Sequence, residues 1–299
     1  MIGRRQWMGG AAAVLGGWGM GAARARAAEG FSALPASFAR IEAARGGRLG
    51  VAVLDTGSGR QAGHRQDERF PLCSTFKLLA AGAVLARVDA GQNRLDQRIR
   101  FSKQDLVPYS PATEKAAGGP GMTLAAICEA AVTLSDNTAG NLMLDILGGP
   151  AGLTAYLRSI GDTVSRLDRT EPTLNEARPG DPRDTTSPAA MLADLHALTL
   201  GEALSAASRE QLVQWLRACR TGGARLRARL PQGWQVGDKT GTGSERTSND
   251  VGLLWPPGGG APVLVAAYLT QGSADGAQRD AALADVGAAV AAAMAVPAR

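Results

Sequence analysis

The chain has 299 residues, 45% of them hydrophobic and 20% charged, enough to bury a sizeable core and unlike a disordered or fibrous chain. Its net charge of +5 comes mostly from one end: Arg4, Arg5, Arg24 and Arg26 fall in the first 27 residues, which hold no acid, so the remainder carries about +1. A body that close to neutral gives no support to nucleic-acid binding.

The first 28 residues stand apart. Arg4 and Arg5 precede the small-residue and apolar run Gly9 to Ala22, and Ala25-Arg26-Ala27 supplies an A-x-A cleavage site, the pattern of a secretory signal. Arg4-Arg5-Gln6-Trp7-Met8 also resembles a twin-arginine export signal. The run is too glycine-rich and too weakly hydrophobic for a membrane anchor. The mature protein is therefore expected to be periplasmic or secreted, free of the membrane after cleavage.

Residues 29–45 suit a helix, with Phe31, Leu34, Phe38 and Ile41 at helical spacing. Arg48–Asp55 reads as a strand, and Thr56-Gly57-Ser58-Gly59 as a turn into a second short strand. A helix starts near Ser74, carried by Phe76, Leu78, Leu79, Val84 and Leu85. Residues 122–161 hold three short helical patterns, with Thr123 as a cap, Ser135-Asp136-Asn137 as a break and Gly148-Gly149-Pro150 as a stop. Arg166–Asp184 is a long polar loop punctuated by Pro172, Pro179, Gly180 and Pro182, and loops of that length in a compact domain are usually functional. Helical patterns return at 187–199 and 208–219. Trp234–Thr242, Asp250–Trp255 and Pro262–Thr270 alternate like strands, and an alanine-rich helix spans 277–296. Strands at both ends with helices between them predict an α+β fold: one mixed sheet built from the two termini, an inserted all-helical lobe, and a cleft between the lobes.

Three motifs carry chemistry. In Ser74-Thr75-Phe76-Lys77 the serine and lysine share one helix face, so the lysine can take the hydroxyl proton if burial or neighbours lower its pKa. The same helix start offers backbone N–H groups to a developing oxyanion. Ser135-Asp136-Asn137 falls at a helix junction, where any such tripeptide could simply cap, and Lys239-Thr240-Gly241 ends a strand pattern, where it could be an edge lysine with a bulge glycine. Their joint occurrence, once each and in this order, is the signature S-x-x-K, S-D-N, K-T-G of class A β-lactamases and penicillin-binding proteins.

On these motifs the chain resembles the class A serine β-lactamases from about residue 30 to 296, and Glu171-Pro172-Thr173-Leu174-Asn175 resembles that family's E-x-x-L-N loop. The resemblance implies a three-layer α/β/α lobe (about 29–72 and 220–299) around a mixed, mainly antiparallel five-stranded sheet, with an all-α lobe (about 73–219), in one catalytic domain. It implies hydrolysis of penicillins and cephalosporins, and so β-lactam resistance. Ser74 would be the nucleophile, its proton taken by Lys77 or by Glu171 through a water, with both alternatives open. Ser74 and Thr242 backbone N–H groups would form the oxyanion hole. Ser135 would relay a proton to the leaving nitrogen, and Glu171 with Asn175 would orient the deacylating water. Tyr109, in Asp105–Pro111, would wall the cleft, and Asn137 would bind the acyl side-chain amide. Lys239, Thr240, Gly241, Thr242 and Arg225 would hold the substrate carboxylate. The family's alternative arginine position is here Ser248, which supports Arg225. Arg169 and Asp184 match the ion pair that closes the long loop, and losing one partner of a buried pair costs about 3–5 kcal/mol.

No cofactor or metal is implied. His64 and His196 stand in no ligand pattern, and Cys73, Cys128 and Cys219 are an odd number without C-x-x-C spacing, so neither a zinc site nor a Ser-His-Asp triad is indicated. Whether two of the cysteines pair in an oxidising compartment stays open. Some carbapenem-hydrolysing relatives bridge a cysteine before the nucleophile to one after K-T-G; Cys73 fills the first position but Gly243 the second, so that bridge is absent and a carbapenemase reading loses one support. The expected partners are small β-lactam substrates, and the enzyme is expected to act as a monomer. A D,D-peptidase shares three motifs but lacks E-x-x-L-N. A β-lactam sensor would need a bilayer-spanning segment past residue 28, and none is visible. An idle relative would lack catalytic groups, and all positions are filled.

Overall fold

The computed structural model describes residues 30–295; the export signal expected over residues 1–28 lies outside them. The strands are β1 (Arg48–Asp55), β2 (Gln61–His64), the two-residue β3 (Phe70–Pro71), β4 (Arg98–Ile99), β5 (Met122–Thr123) and β6 (Thr185–Thr186), then β7 (Gln235–Gly243), β8 (Thr247–Trp255) and β9 (Val263–Thr270). The helices are α1 (Leu34–Arg45), α2 (Phe76–Asp89), α3 (Leu124–Thr133), α4 (Asn137–Leu147), α5 (Gly149–Ser159), α6 (Pro188–Thr199), α7 (Ala206–Arg217) and α8 (Gly276–Met294).

Five strands form one sheet in the order β2-β1-β9-β8-β7. All four pairings are antiparallel, so the sheet expected as mixed and mainly antiparallel is antiparallel throughout. The reason is connectivity: β1–β2, β7–β8 and β8–β9 are hairpins, and the long excursion between β2 and β7 brings the C-terminal strands back beside β1 without a parallel crossover. Central β9, VLVAAYLT, is buried at every position, as a strand covered on both faces must be. Helices α1 and α8 pack together over one face, and α6 and α7 over the other. Two apolar cores result. One lies between the sheet and α1/α8, around Phe38, Val53, Val265 and Val286. The larger one joins the opposite face to α2–α5, around Phe76, Leu79, Ile127 and Met143.

Helix α2 is buried from Phe76 through Leu85, which marks a helix enclosed by protein on all sides. Its burial fixes Lys77 inside the molecule. Helix α4 begins where Asp136 accepts from Ala139 N and ends at Gly148 in the left-handed conformation, a paired start and stop signal.

Candidate active site

The chain enters the site through a 3₁₀ turn at Cys73–Thr75, and α2 proper begins only at Phe76, two residues later than the sequence pattern suggests. Cys73 has φ 45°, Tyr109 φ 66° and Ser135 φ 60°. Left-handed backbone at a residue other than glycine costs about 1–3 kcal/mol. Three corners of the cleft are therefore held by their surroundings.

Asp136 supplies much of that hold. Besides capping α4, its carboxylate accepts from Ala112 N (2.9 Å), Thr113 N (3.0 Å) and Thr113 Oγ1 (2.8 Å). Asn137 N donates to Tyr109 O at 2.9 Å, and Asn137 Nδ2 to Pro108 O at 2.8 Å. The S-D-N turn and the Tyr109 loop are thus one unit.

Beneath it lies a fully buried ion pair. Lys77 Nζ is 2.9 Å from Glu171 Oε1, both side chains at 0% exposure. Lys77 donates to Ser74 Oγ (3.0 Å), Ser135 O (2.8 Å) and Asn137 Oδ1 (2.7 Å), and Ser74 Oγ donates to Glu171 Oε1 at 3.0 Å. Burial pulls the Lys77 pKa below the usual lysine range, with the Glu171 carboxylate pulling the other way. Gly140 makes room for this pair, since a Cβ there would stand 2.8 Å from Lys77 Cε.

Glu171 is fixed from two sides. Asn175 Nδ2 donates to Glu171 Oε2. Asn141 accepts from Glu171 N (2.8 Å) and donates to Glu171 O (3.0 Å). Asn175 Oδ1 is buried without a protein partner, leaving an acceptor for a water or substrate group. The loop's neck closes on Asp184, which accepts from Asp168 N (2.7 Å), Arg169 N (2.9 Å) and Arg169 Nε (2.6 Å).

The opposite wall is strand β7. Lys239 Nζ donates to Ser135 Oγ (3.0 Å) and Thr240 O (2.8 Å). Burial first, and the nearby Lys77 charge second, bring its pKa down to about 7. Arg225 lies across the strand: Nη1 donates to Gly241 O and Asn249 O (2.8 Å each), Nη2 to Thr242 Oγ1 (2.7 Å), and Nε pairs with Asp280 at 2.8 Å. Gly243 faces Cys73 Sγ, where a Cβ would come within 2.6 Å. Cys73, Cys128 and Cys219 are all buried and free, which answers the pairing question left open by their spacing.

Of the residues singled out from sequence, Ser74, Tyr109, Ser135, Asn137, Asn175, Arg225, Thr240 and Thr242 line one cleft of about 380 Å³. Lys77, Glu171 and Lys239 stand behind its surface, fully buried. Gly241 contributes its carbonyl to Arg225. Ser248 Oγ accepts from Arg279 Nε at 3.3 Å. Thr221, which also lines the cleft and hydrogen-bonds Thr240 Oγ1, and Asn141 were not singled out from sequence. A signal existed for Asn141, four residues after Asn137 and so on the same helix face; none existed for Thr221.

The arrangement is a hydroxyl between a buried amine and a carboxylate, facing a cationic, hydroxyl-lined strand. It suits acyl transfer from a carbonyl substrate bearing a negative charge. The family described as "Beta-lactamase enzyme family" matches residues 33–294. The chain is 51% identical to β-lactamase L2 of Stenotrophomonas maltophilia, over 84% of this chain and 82% of that protein. It is also 51% identical to carbapenem-hydrolyzing β-lactamase KPC of Klebsiella oxytoca, over 83% and 84%. Among solved structures, an ancestral class A β-lactamase superposes with a TM-score of 0.84 at 63% identity, covering 86% of this chain and 98% of that one. A putative class A β-lactamase from Rhodopseudomonas palustris gives 0.85 at 63%, covering 88% and 100%.

Proposed function

The chain belongs to the class A serine β-lactamases, and from that premise we propose how its residues divide the hydrolysis of a β-lactam, the reaction that confers β-lactam resistance. Ser74 Oγ is the nucleophile. The observation that carries this reading is its position between Lys77 Nζ and Glu171 Oε1, 3.0 Å from each.

The Ser74 hydroxyl points its proton at Glu171, while Lys77 donates to Ser74 Oγ. We take the carboxylate as the acceptor for the first proton, with Lys77 donating to the oxygen on which negative charge develops. Backbone N–H groups of Ser74 and Thr242 receive the oxyanion of the tetrahedral intermediate, each such donor being worth about 10²–10³ in rate. Ser135, whose Oγ accepts from Lys239, passes a proton to the lactam nitrogen as the C–N bond breaks. The proton that Glu171 took from Ser74 is handed on through Lys77, 2.9 Å away, to restore Ser135 and return Glu171 to its carboxylate. The acyl-enzyme is then attacked by a water held between Glu171 and Asn175 Oδ1, the buried acceptor without a protein partner. Glu171, again a carboxylate, takes a proton from that water as it attacks and hands it to Ser74 Oγ as the acyl bond breaks.

Recognition falls to the strand wall. Lys239, Arg225, Thr240 and Thr242 surround the substrate carboxylate with charge and hydroxyl donors. Asn137 has one amide hydrogen committed to Pro108 O and a second for the acyl side chain. Penicillins and cephalosporins are the proposed substrates. Every group named comes from one chain, so the site needs no second subunit. Among the described residues no helix is long and apolar enough to cross a membrane, and we read residues 1–28 as the signal that exports the enzyme.

Purified mature protein should turn over a chromogenic cephalosporin catalytically, and Ser74→Ala should abolish the reaction. Stoichiometric acylation without turnover would instead mark a peptidase or a sensor. Glu171→Ala should accumulate an acyl-enzyme visible as a mass adduct, with steady-state turnover down by about 10²–10⁴; free turnover in that variant would remove Glu171 as the deacylation base.

A further inference from the structure

Under the outer arc of the loop that carries Glu171 lies a second cavity, of about 260 Å³, sharing no lining residue with the catalytic cleft. Arg48, Arg69, Arg178, Asp181, Thr185 and Gln271 are among the residues that line it. Its roof is the stretch Ala177 to Pro182, and its floor is β3 with the paired ends of β1 and β9 at Arg48 and Thr270.

The charges around this cavity do not balance. Asp181 is its one acidic lining residue, and both of its oxygens are held by Arg183, at 3.1 Å from Nε and 2.7 Å from Nη2. Arg48 pairs with Glu68 at 3.0 Å, but Glu68 also serves Arg65 at 3.1 Å. Arg178 reaches Glu176 at 3.3 Å, which Arg169 already holds at 2.7 Å. Arg69 has no carboxylate among the ion pairs of the described residues; its Nη1 donates to the neutral oxygens of Val164 (2.9 Å) and Thr185 (3.0 Å). Two of the three guanidinium groups are fixed in place, Arg69 by those bonds and Arg48 by stacking 3.9 Å over the Phe70 ring. A pre-positioned set of planar forks with surplus charge suits a tetrahedral oxyanion better than a point contact would. The Gln271 side-chain amide adds a neutral donor, while the Thr185 hydroxyl, donating to Pro182 O at 2.6 Å, ties the roof to the body.

We propose that this cavity is a binding site for a small oxyanion of the phosphate or sulfate type. The anion joins Arg178 on the loop to Arg48 and Arg69 on the body, and so braces the loop from the side opposite the chemistry. Because the site exists only while the loop lies on the body, bound anion stabilises that packing by mass action.

The test titrates the full mature enzyme with inorganic phosphate against sodium chloride of matched ionic strength, following ³¹P linewidth, melting temperature and hydrogen exchange. Phosphate should bind saturably, raise the melting temperature and slow exchange in residues 177–182, with chloride doing neither. Arg225→Ala, which disables the cationic cleft, should keep the response. Arg178→Gln, an exposed loop substitution, should weaken the apparent Kd about tenfold or more, and Arg69→Gln likewise. An equal response to chloride would reduce the effect to screening. A response lost in Arg225→Ala and intact in Arg178→Gln would place the anion in the catalytic cleft. Either result overturns the proposal.

Discussion

On the helical wall of the cleft, Lys77, Glu171 and Asp136 are buried groups whose hydrogen-bonding positions are taken by neighbours from α2, α4, the Tyr109 loop and the long loop. On the strand wall, Thr240 and Thr242 are set by the register of one strand, with Thr240 opposite Asp250 and Thr242 opposite Ser248, and Arg225 is laid across them. Moving a proton requires groups fixed within a fraction of an ångström, which only several elements converging on one point can supply. Binding a carboxylate requires charge and donors over a wider area, which one strand and one arginine provide. The comparison predicts a division of kinetic effects: damage to the helical wall should lower kcat, and damage to the strand wall should raise KM.

The largest effect that separates the walls without touching a reacting group is expected at Asn141. Asn141→Ala removes both hydrogen bonds to the Glu171 backbone and leaves the carboxylate in place. We expect kcat to fall about 10–100-fold, with acyl-enzyme building up in a stopped reaction. A rise in KM with kcat unchanged would break the division.

Next comes Arg225→Ala on the other wall. Losing charge-assisted donors to a carboxylate is worth about 1.5–3 kcal/mol, so KM should rise about tenfold to a hundredfold while kcat stays within a few-fold of wild type. A matching fall in kcat would show that Arg225 acts chiefly by holding Gly241 O and Asn249 O, and so the strand itself.

The smallest effect is a pH limb. Burial and Lys77 lower the Lys239 pKa to about 7. The ammonium is therefore present below that pH in the free enzyme and lost as pH rises through it. Since kcat/KM reports the free enzyme, it should decline above about pH 7 for a carboxylate-bearing substrate. Lys239→Arg, with a charge that persists throughout, should move the decline upward. An unmoved limb in that variant would assign the titration to a group on the helical wall.

Much of this was readable in the sequence, for reasons that differ along the chain. The five strands and the helices of 122–161 followed from periodicity and caps, which are local; Thr123 and Asp136 do cap where their positions suggested. Ser74, Lys77, Ser135, Glu171 and Lys239 were picked out because they sit in short motifs whose spacing is itself chemical. Asn141 and Thr221 were not, because what matters about them is which backbone or hydroxyl they meet across the fold. The start of α2 shifted from Ser74 to Phe76 because packing drew Cys73 into a left-handed turn, a tertiary override of a local pattern.

By itself, then, the sequence determined the family, the order of the elements and the identity of the groups in the cleft, since motif spacing and hydrophobic period survive without knowledge of the fold. Only the tertiary structure decided that the sheet is antiparallel throughout, that the three cysteines stay apart, and that Glu171 and Lys77 form a dry pair with Ser74 Oγ 3.0 Å from each. Those outcomes depend on distances between residues as far apart in sequence as Arg48 and Thr270, and such distances are set by how the two cores close on each other.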